Sequence, residues 1–389
     1  MPKSSKALSP RRVALLIETS TAYGRAILRG IHAFVREHGD WTTYLREQES
    51  GETPEVPLPD TWQGDGIIAR IDNRSLADQL ARRIGLPLID VCDNRLLPGV
   101  PYIDVDDEAI SRLAVEHFLQ RNFKNLAYCG DDRFPWAIER GESFARFTAD
   151  AGYSCSTYGA PPQKMPSPKH DEQHLVDWIC RLPKPVGVMA CHDFRGWQVL
   201  EACRLAGIAV PDEVAVIGVD NDELLCELSD PPLTSICPDA FRTGYLAAES
   251  MNCWISGTPM TESISIQPSG VVTRKSTDVF AVAEPNISQA VRLIREQACR
   301  GIRVSDVLNA VPISRTVLDR EFNKLLGHSA HEEIGRVQFQ RVIELLTETK
   351  LPLVTIAERA GFRHAEYLTY AFKQRFGVPP SKYRELHRK

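Results

Sequence analysis

Charged and aromatic side chains follow several short apolar segments of this sequence. Asp220 comes directly after one of these segments and Asp193 shortly after another. Tyr23 follows the first segment, and Trp136 and Arg140 lie at the start of a helical stretch that follows a further segment. A carboxylate or a guanidinium can hydrogen-bond two neighbouring hydroxyl groups, and an aromatic ring can cover the apolar side of a sugar. These residue types are the set that a polyhydroxylated ligand requires.

Each of these five residues also has a structural alternative. Asp220 could cap the turn that follows it, and Asp193 could cap the helix that it begins. Arg140 could pair with an acid in its own lobe, and Trp136 could belong to the core. Tyr23 could be a ligand contact, a dimer contact or simple helix-start surface.

Other chemical motifs in the chain are incomplete. The segment His170–His174 has histidines four apart, but Asp stands where a zinc protease needs Glu. In Cys191–Asp193 the adjacent side chains diverge and cannot form a nucleophile–base pair. The ten cysteines form no CxxC pair and mostly lie inside apolar runs, as small buried residues do. We therefore predict no metal, no cofactor, no catalytic group and no enzyme activity.

The apolar segments predict a parallel sheet protein. Continuous apolar runs alternate with amphipathic stretches, which is typical of strands and helices in doubly wound α/β folds. The pattern is too long for one such unit, so we predict two lobes that divide near residues 104–107. The predicted strands are Val13–Glu18, Trp41–Arg46, Gly66–Ile71, Leu86–Val91, Asn125–Cys129, Val186–Ala190 and Val214–Val219. Ligands of such folds bind beyond the carboxyl ends of the strands.

Composition and pattern divide the chain into four parts. We predict a flexible N-terminus over 1–11, an α/β domain over 12–276, a linker over 277–286 and an all-α domain over 287–389. The chain is 43% hydrophobic and 25% charged, as soluble globular proteins are. No stretch reaches eighteen apolar residues, the length of a membrane helix, so we expect a cytoplasmic protein.

Charge is distributed unevenly between these parts. From Pro285 onward the chain carries 18 Lys and Arg against 11 Asp and Glu, a net charge of +7. The preceding residues carry 28 against 40, a net charge of −12. This asymmetry favours a polyanionic partner for the C-terminal domain alone.

Two similar passages of the C-terminal domain predict helix-turn-helix units. Each passage, 304–322 and 354–372, contains a short helical pattern, a turn and a longer helical pattern. Leu318 and Phe322 are four residues apart, as are Leu368 and Phe372, so the apolar face of each second helix packs inward and a polar face remains outside. Such a helix can enter the major groove of DNA. The alternative is a helical packing module that only uses this fold.

The ends of both units resemble the AraC/XylS family. The segment 372–384 is similar to that family's signature end, and 322–327 is similar to the end of its first unit. The resemblance implies two recognition helices that enter successive major grooves, about 34 Å apart. It also implies the base-reading positions, which are Arg315, Thr316, Asp319, Arg320, His364, Ala365, Glu366 and Thr369.

Arg320 is the strongest candidate for a base contact among these positions. Its guanidinium can bond O6 and N7 of guanine together, which is worth roughly 1–3 kcal/mol of discrimination. Family members often carry Arg at the corresponding place in the second unit, whereas this chain has Tyr370. The second unit could therefore read sequence less strictly or bind mainly phosphate.

The N-terminal domain resembles the LacI/periplasmic-binding type of sugar sensor, above all in the segment 216–221. A sensor of this type before an AraC-type domain resembles the family of xylose-operon regulators, with Tyr23, Arg25 and 136–140 among the similar positions. That resemblance implies a D-xylose effector, operator DNA, a homodimer and, for an activator, contact with RNA polymerase. The loops at 70–74 and 90–97, where ligand specificity is made, show no special likeness.

Three alternatives remain at this point. The effector could be another sugar, or regulation could be repression. The C-terminal domain could mediate protein contacts, in which case salt-dependent DNA affinity would be absent. The α/β domain could also carry a hydrolase or isomerase, which would turn over its sugar.

Overall fold

The computed structural model describes residues 10–38, 41–45, 58–59, 61–83, 85–159, 168–279 and 285–387. The chain forms two compact units, Met1–Val279 and Phe280–Lys389. Residues 1–9 of the predicted flexible N-terminus lie outside the described residues, and Arg11 already belongs to a strand. The predicted linker begins too early, because Thr277 is fully buried in unit 1 and hydrogen-bonds Thr234 and His117. Residues 280–284 are outside the described part of the chain.

The first lobe of unit 1 contains a parallel sheet of order β2-β1-β3-β4. A bridge between Asp90 and Tyr102 leads from this sheet to β5, which pairs in parallel with β11. The strands are β1 (Arg11–Leu16), β2 (Trp41–Leu45), β3 (Gly66–Ala69), β4 (Leu88–Asp90), β5 (Ile103–Val105) and β11 (Ile264–Ile266). The helices are α1 (Ala22–His38), α2 (Arg74–Ala81) and α8 (Ala240–Ile255).

The second lobe contains a six-stranded sheet of order β12-β10-β9-β8-β6-β7. All neighbours are parallel except β10 and β12, which are antiparallel. The strands are β6 (Asn125–Cys129), β7 (Cys155–Tyr158), β8 (Val186–Ala190), β9 (Val214–Val219), β10 (Thr234–Cys237) and β12 (Gly270–Val272). The helices are α3 (Asp107–Gln120), α4 (Pro135–Asp150), α5 (Pro168–Arg181), α6 (Asp193–Ala206) and α7 (Glu223–Leu228).

The chain crosses between the lobes three times. It crosses after β5, after β10 and between β11 and β12, because α8 and β11 return to the first lobe. The predicted two-lobed parallel architecture is confirmed, and the predicted division near 104–107 coincides with the first crossing. The return of residues 240–266 to the first lobe was not predicted.

The central strands are buried along their whole length. Every residue of β8 and of β9 is buried, because helices cover both faces of the sheet and leave no position for a polar side chain. Polar residues appear only where these strands end. The helices that follow them begin at polar caps: the side chain of His192 accepts a hydrogen bond from the backbone of Arg195 at the start of α6, and that of Asp222 accepts one from Leu225 at the start of α7.

Two glycines allow α1 and α8 to pack closely in the first lobe. A Cβ atom on Gly30 would lie 1.9 Å from the carbonyl oxygen of Phe241, and one on Gly244 would lie 1.9 Å from that of Ile27. The two helix backbones therefore touch, and α8 packs on the first lobe although it follows β10 of the second lobe in the chain.

Unit 2 is entirely helical among its described residues. Its helices are α9 (Pro285–Gln297), α10 (Val304–Ala310), α11 (Arg315–Leu326), α12 (Ala330–Glu348), α13 (Leu353–Arg359), α14 (Ala365–Phe376) and α15 (Pro380–His387). The first core joins α9–α11 to the start of α12, and the second joins the rest of α12 to α13–α15. No described helix of the chain has the length and apolarity needed to cross a bilayer.

Candidate functional site

A cavity of about 500 Å³ opens between the lobes of unit 1. Its walls come from the carboxyl ends of strands in both sheets and from the helix starts that follow them. All five predicted ligand residues, Tyr23, Trp136, Arg140, Asp193 and Asp220, line this one cavity. The structure thus brings the predicted residues together, while their contact with a ligand remains a prediction.

The first lobe contributes an ion pair and a tyrosine to the cavity. Arg70 donates to Glu18 at 2.6 Å, and its guanidinium lies 5.1 Å from the centre of the Tyr23 ring. The Tyr23 hydroxyl donates to Asp104 at 2.6 Å. The Glu18 carboxylate also accepts from Thr21, so hydrogen bonds connect the charged groups of this wall to one another and to the start of α1.

The second lobe contributes a guanidinium and an indole. Arg140 donates to Asp107 at 2.8 Å and to the carbonyl oxygen of Cys191, so its pairing with an acid of its own lobe is real. The guanidinium also lies 4.9 Å from the centre of the Trp136 ring. The buried indole nitrogen of Trp136 has no hydrogen-bond partner among the described residues, which leaves one donor for a ligand.

Asp193 and Asp220 differ in how they are bonded. Asp193 accepts from the Ser235 hydroxyl at 2.6 Å and from the Asp222 backbone at 2.8 Å, so it holds the turn after β9. The cap of α6 is His192, not Asp193. The Asp220 carboxylate accepts no side-chain hydrogen bond from the described residues, and its backbone has φ of 108°. Such a φ is rare for a residue other than glycine. Because it accepts no side-chain hydrogen bond in the described part of the chain, the Asp220 carboxylate is an acceptor available for hydroxyl groups.

Burial changes the protonation of these acids. It raises the pKa of Asp220 to about 7, against the opposing attraction of Arg140. It raises the pKa of Asp104 to about 6, with Asp107 adding to the shift. Burial and the nearby charge of Asp220 also raise the pKa of Asp193. Removing negative charge from water costs free energy, so burial in the cleft disfavours the charged forms of these acids.

Sequence reasoning missed several lining residues. Glu18, Arg70 and Asp104 lie at or next to strand ends, the same signal that identified Asp220, but their pairings connect distant parts of the chain and could not be seen. Arg25 does not line this cavity; its guanidinium donates to the carbonyl oxygens of Thr19 and Ser20. Among the described residues, no group of three or more His, Cys, Asp or Glu side chains could hold a metal ion.

The first helix-turn-helix unit consists of α10 and α11. Ser314 caps α11 by accepting from the Val317 backbone at 3.3 Å, and Leu318 and Phe322 are fully buried. Arg315, Thr316 and Arg320 are exposed. The guanidinium of Arg320 lies 2.9 Å from the Glu321 carboxylate, and that of Arg315 lies 3.7 Å from Asp319.

The second helix-turn-helix unit consists of α13 and α14. His364 and Glu366 are exposed, whereas Ala365 and Thr369 are partly buried, and the Thr369 hydroxyl bonds the Ala365 carbonyl oxygen at 2.8 Å. Sequence reasoning did not include Tyr367, which is 62% exposed beside Tyr370 at 65%. Two exposed rings on a helix that packs well elsewhere indicate a contact surface.

A groove lies along α12, between the two helix-turn-helix units. Its lining includes six groups that are, or can become, cationic: Arg303, Arg315, His331, Arg363, His364 and Arg375. Phosphate oxygens are the natural counterpart of such a row.

Comparison with known families agrees with this division. Residues 12–108 match the family described as "XylR N-terminal domain", and residues 115–277 match the family described as "Periplasmic binding protein-like domain". Residues 307–386 match the family described as "Helix-turn-helix domain". The fold and the sites therefore define a transcription regulator in which a sugar-sensor domain precedes a DNA-binding domain.

Within this class the chain is similar to xylose operon regulatory proteins over nearly its whole length. It is 29% identical to that of Escherichia coli (strain K12), covering 97% of each chain. It is 28% identical to that of Haemophilus influenzae, covering 96% of this chain and 98% of the other. A solved structure described as xylose-binding transcription activator xylR superposes with a TM-score of 0.78 at 28% identity, covering 98% and 99%. The resemblance inferred from the sequence is confirmed, and because these relatives are transcription regulators, the prediction of no enzyme activity is confirmed too.

Proposed function

We infer that the cleft of this protein binds D-xylose and that the bound protein activates genes for the catabolism of this sugar. The supporting observation is the cleft itself, which Asp220, Arg140 and Trp136 line together; the Trp136 indole nitrogen has no partner among the described residues. The names of the full-length relatives support xylose as the sugar. The protein acts in the cytoplasm as a homodimer on operator DNA, and contacts RNA polymerase as an activator.

Thermal unfolding with a panel of pentoses and hexoses tests the effector. All six tryptophans belong to unit 1, so their fluorescence reports this unit alone. D-xylose should raise the unfolding temperature, and Trp136→Leu should abolish the rise by removing the ring face and the free donor. Trp254→Leu, outside the cavity, is the matched control. A larger shift with another sugar would replace xylose as the effector.

We also propose which residues contact DNA bases. Arg315, Thr316 and Arg320 in α11, with Asp319 beside them, would meet base edges in one major groove. His364, Ala365, Glu366 and Thr369 at the start of α14 would meet those in the next groove. The exposed faces of both helices and the cationic groove between them support this arrangement.

Arg320→Ala tests base reading. Since a paired guanidinium contributes roughly 1–3 kcal/mol to base discrimination, the variant should lose preference for an operator selected in vitro while remaining folded by circular dichroism. Arg292→Ala, an exposed arginine on α9, should keep that preference. An unchanged preference in Arg320→Ala would remove Arg320 from its proposed role.

A further inference from the structure

The two helix-turn-helix units share one helix but have separate cores. Val337 packs against the first core, whereas Phe339 belongs to the second. Gln338 therefore stands at the junction, on the helix that both units use. Without another contact, the angle between the units would depend on the stiffness of α12 alone.

Gln338 supplies such a contact. Its side-chain nitrogen donates to the carbonyl oxygen of Ala298 at 3.0 Å and to that of Gly361 at 3.2 Å. Ala298 is a fully buried member of the first core. Gly361 lies in the turn between α13 and α14 of the second unit. One side chain thus ties the first core to the turn that positions the second recognition helix.

The backbone at this junction leaves no space for a side chain. A Cβ atom on Gly361 would lie 2.6 Å from the Ala298 carbonyl oxygen, 2.9 Å from the carbonyl carbon of Cys299 and 2.9 Å from Nε2 of Gln338. Gly361 also has φ of +81°, a conformation that glycine adopts without strain. The positive φ and the close backbone contact therefore each require glycine at position 361. Of the two, the close contact with Ala298 and Cys299 is the one that joins the two helix-turn-helix units.

We propose that Gln338 and Gly361 are positioning residues that fix the separation and angle of the two recognition helices, and so select operators by the spacing of their two boxes. The inference rests on the DNA-reading role proposed above. The angle between α11 and α14 depends on this junction because the two helices belong to different cores. The angle matters for operator choice because a box displaced by one base pair also faces about 35° away around the duplex.

The first test needs no DNA. Nitroxide labels attached through p-acetylphenylalanine at positions 316 and 370 report the distance between α11 and α14 in the full chain, and they avoid the ten native cysteines. Gln338→Met keeps the length of the side chain but removes both donated hydrogen bonds. It should broaden the distance distribution, as should Gly361→Ala.

Matched controls separate the junction from general effects. Gln340→Met makes the same change on an exposed position of α12. Gly377→Ala places a side chain at φ of +76° with nothing within 4 Å, so it carries the strain of Gly361→Ala without the close approach. Both controls should keep the narrow distribution. An unchanged distribution in Gln338→Met would overturn the proposal.

The second test measures spacing preference. For the wild-type chain, one base pair inserted between the boxes of the selected operator should lower affinity by about tenfold or more. In Gln338→Met the same insertion should lower affinity by about threefold or less, because the second unit can follow its box. An undiminished penalty would also contradict the proposal. If the wild-type chain bound no duplex, the DNA-reading function would fall, and the distance measurement would still decide the role of Gln338.

Discussion

At the scale of single residues, the cleft is built around buried acidic groups whose pKa values are raised. The Asp220 carboxylate has no hydrogen-bonding side chain among the described residues, and its pKa is raised to about 7. Asp104 accepts from Tyr23 and from two backbone groups, yet burial still raises its pKa to about 6. Hydroxyl groups of a ligand would hydrogen-bond such carboxylates, so ligand binding and ionisation are coupled.

The sign of this coupling gives a pH prediction. Because the pKa values of Asp104 and Asp220 in the folded protein lie above the ordinary value of 3.8, the folded state holds more protons than the unfolded state between about pH 4 and pH 7. Stability of the unliganded unit should therefore fall as pH rises through this window. Asp220→Asn should reduce the fall and raise the unfolding temperature at pH 8 by a few degrees.

The same variant should lose the temperature rise caused by the sugar. Asparagine tolerates positive φ as aspartate does, so the backbone at β9 should not change. Asp177→Asn, an exposed substitution on α5, should behave as wild type in both respects. If Asp220→Asn kept the wild-type pH profile and sugar response, the role given to this carboxylate would be wrong.

At the scale of elements, the first lobe depends on the contact between α1 and α8. The backbones touch at Gly30 and Gly244, and α1 begins directly after the loop that carries Glu18 and Thr21 into the cavity. The contact therefore positions the first-lobe wall of the cleft as well as closing the lobe.

Gly244→Ala should destabilise unit 1 by about 1–3 kcal/mol, the usual range for overpacking a well-packed interior. Urea unfolding followed by tryptophan fluorescence measures the change. Gly257→Ala is the control: Gly257 has φ of +102°, and a Cβ atom there would meet nothing, so this variant carries backbone strain alone. An unchanged or higher stability of Gly244→Ala would show that α8 can move away from α1 without cost.

Long, continuous apolar segments were predictable as elements. The strands β6, β8 and β9 have the bounds predicted from the sequence, because a strand buried on both faces is a short continuous run of mostly apolar residues. The three-residue strands β5, β11 and β12 were not predicted, since so short a run has no period. The pairing of Arg70 with Glu18 was also invisible, because it joins residues that only the folded sheet brings together.

At the scale of the whole molecule, a sugar site and a DNA site reside in different units of one chain. Opposite net charges distinguish them, with −12 before Pro285 and +7 from there on. The phosphate backbone of DNA therefore favours unit 2. Control of one site by the other then requires that the affinity of the sugar differ between the arrangement that binds the operator and the one that does not.

This requirement gives a reciprocal prediction. If the sugar strengthens operator binding, the operator must strengthen sugar binding by the same factor, with a typical coupling of about 1–3 kcal/mol. Calorimetric titration of D-xylose with and without the selected operator measures one side, and operator titration with and without the sugar measures the other. Identical sugar affinity in both titrations would exclude the coupling, whereas Arg320→Ala should weaken the operator's effect.

Because the chain crosses between the lobes three times, neither lobe is completed before the other begins during synthesis on the ribosome. The first lobe needs α8 and β11, so it stays incomplete until Ile266 has emerged. The second lobe, by contrast, has five of its six strands in the continuous stretch from Asn125 to Cys237. The first lobe is thus begun first but cannot close until the second lobe lacks, of its strands, only β12, and α1 must wait for a partner encoded some two hundred codons downstream.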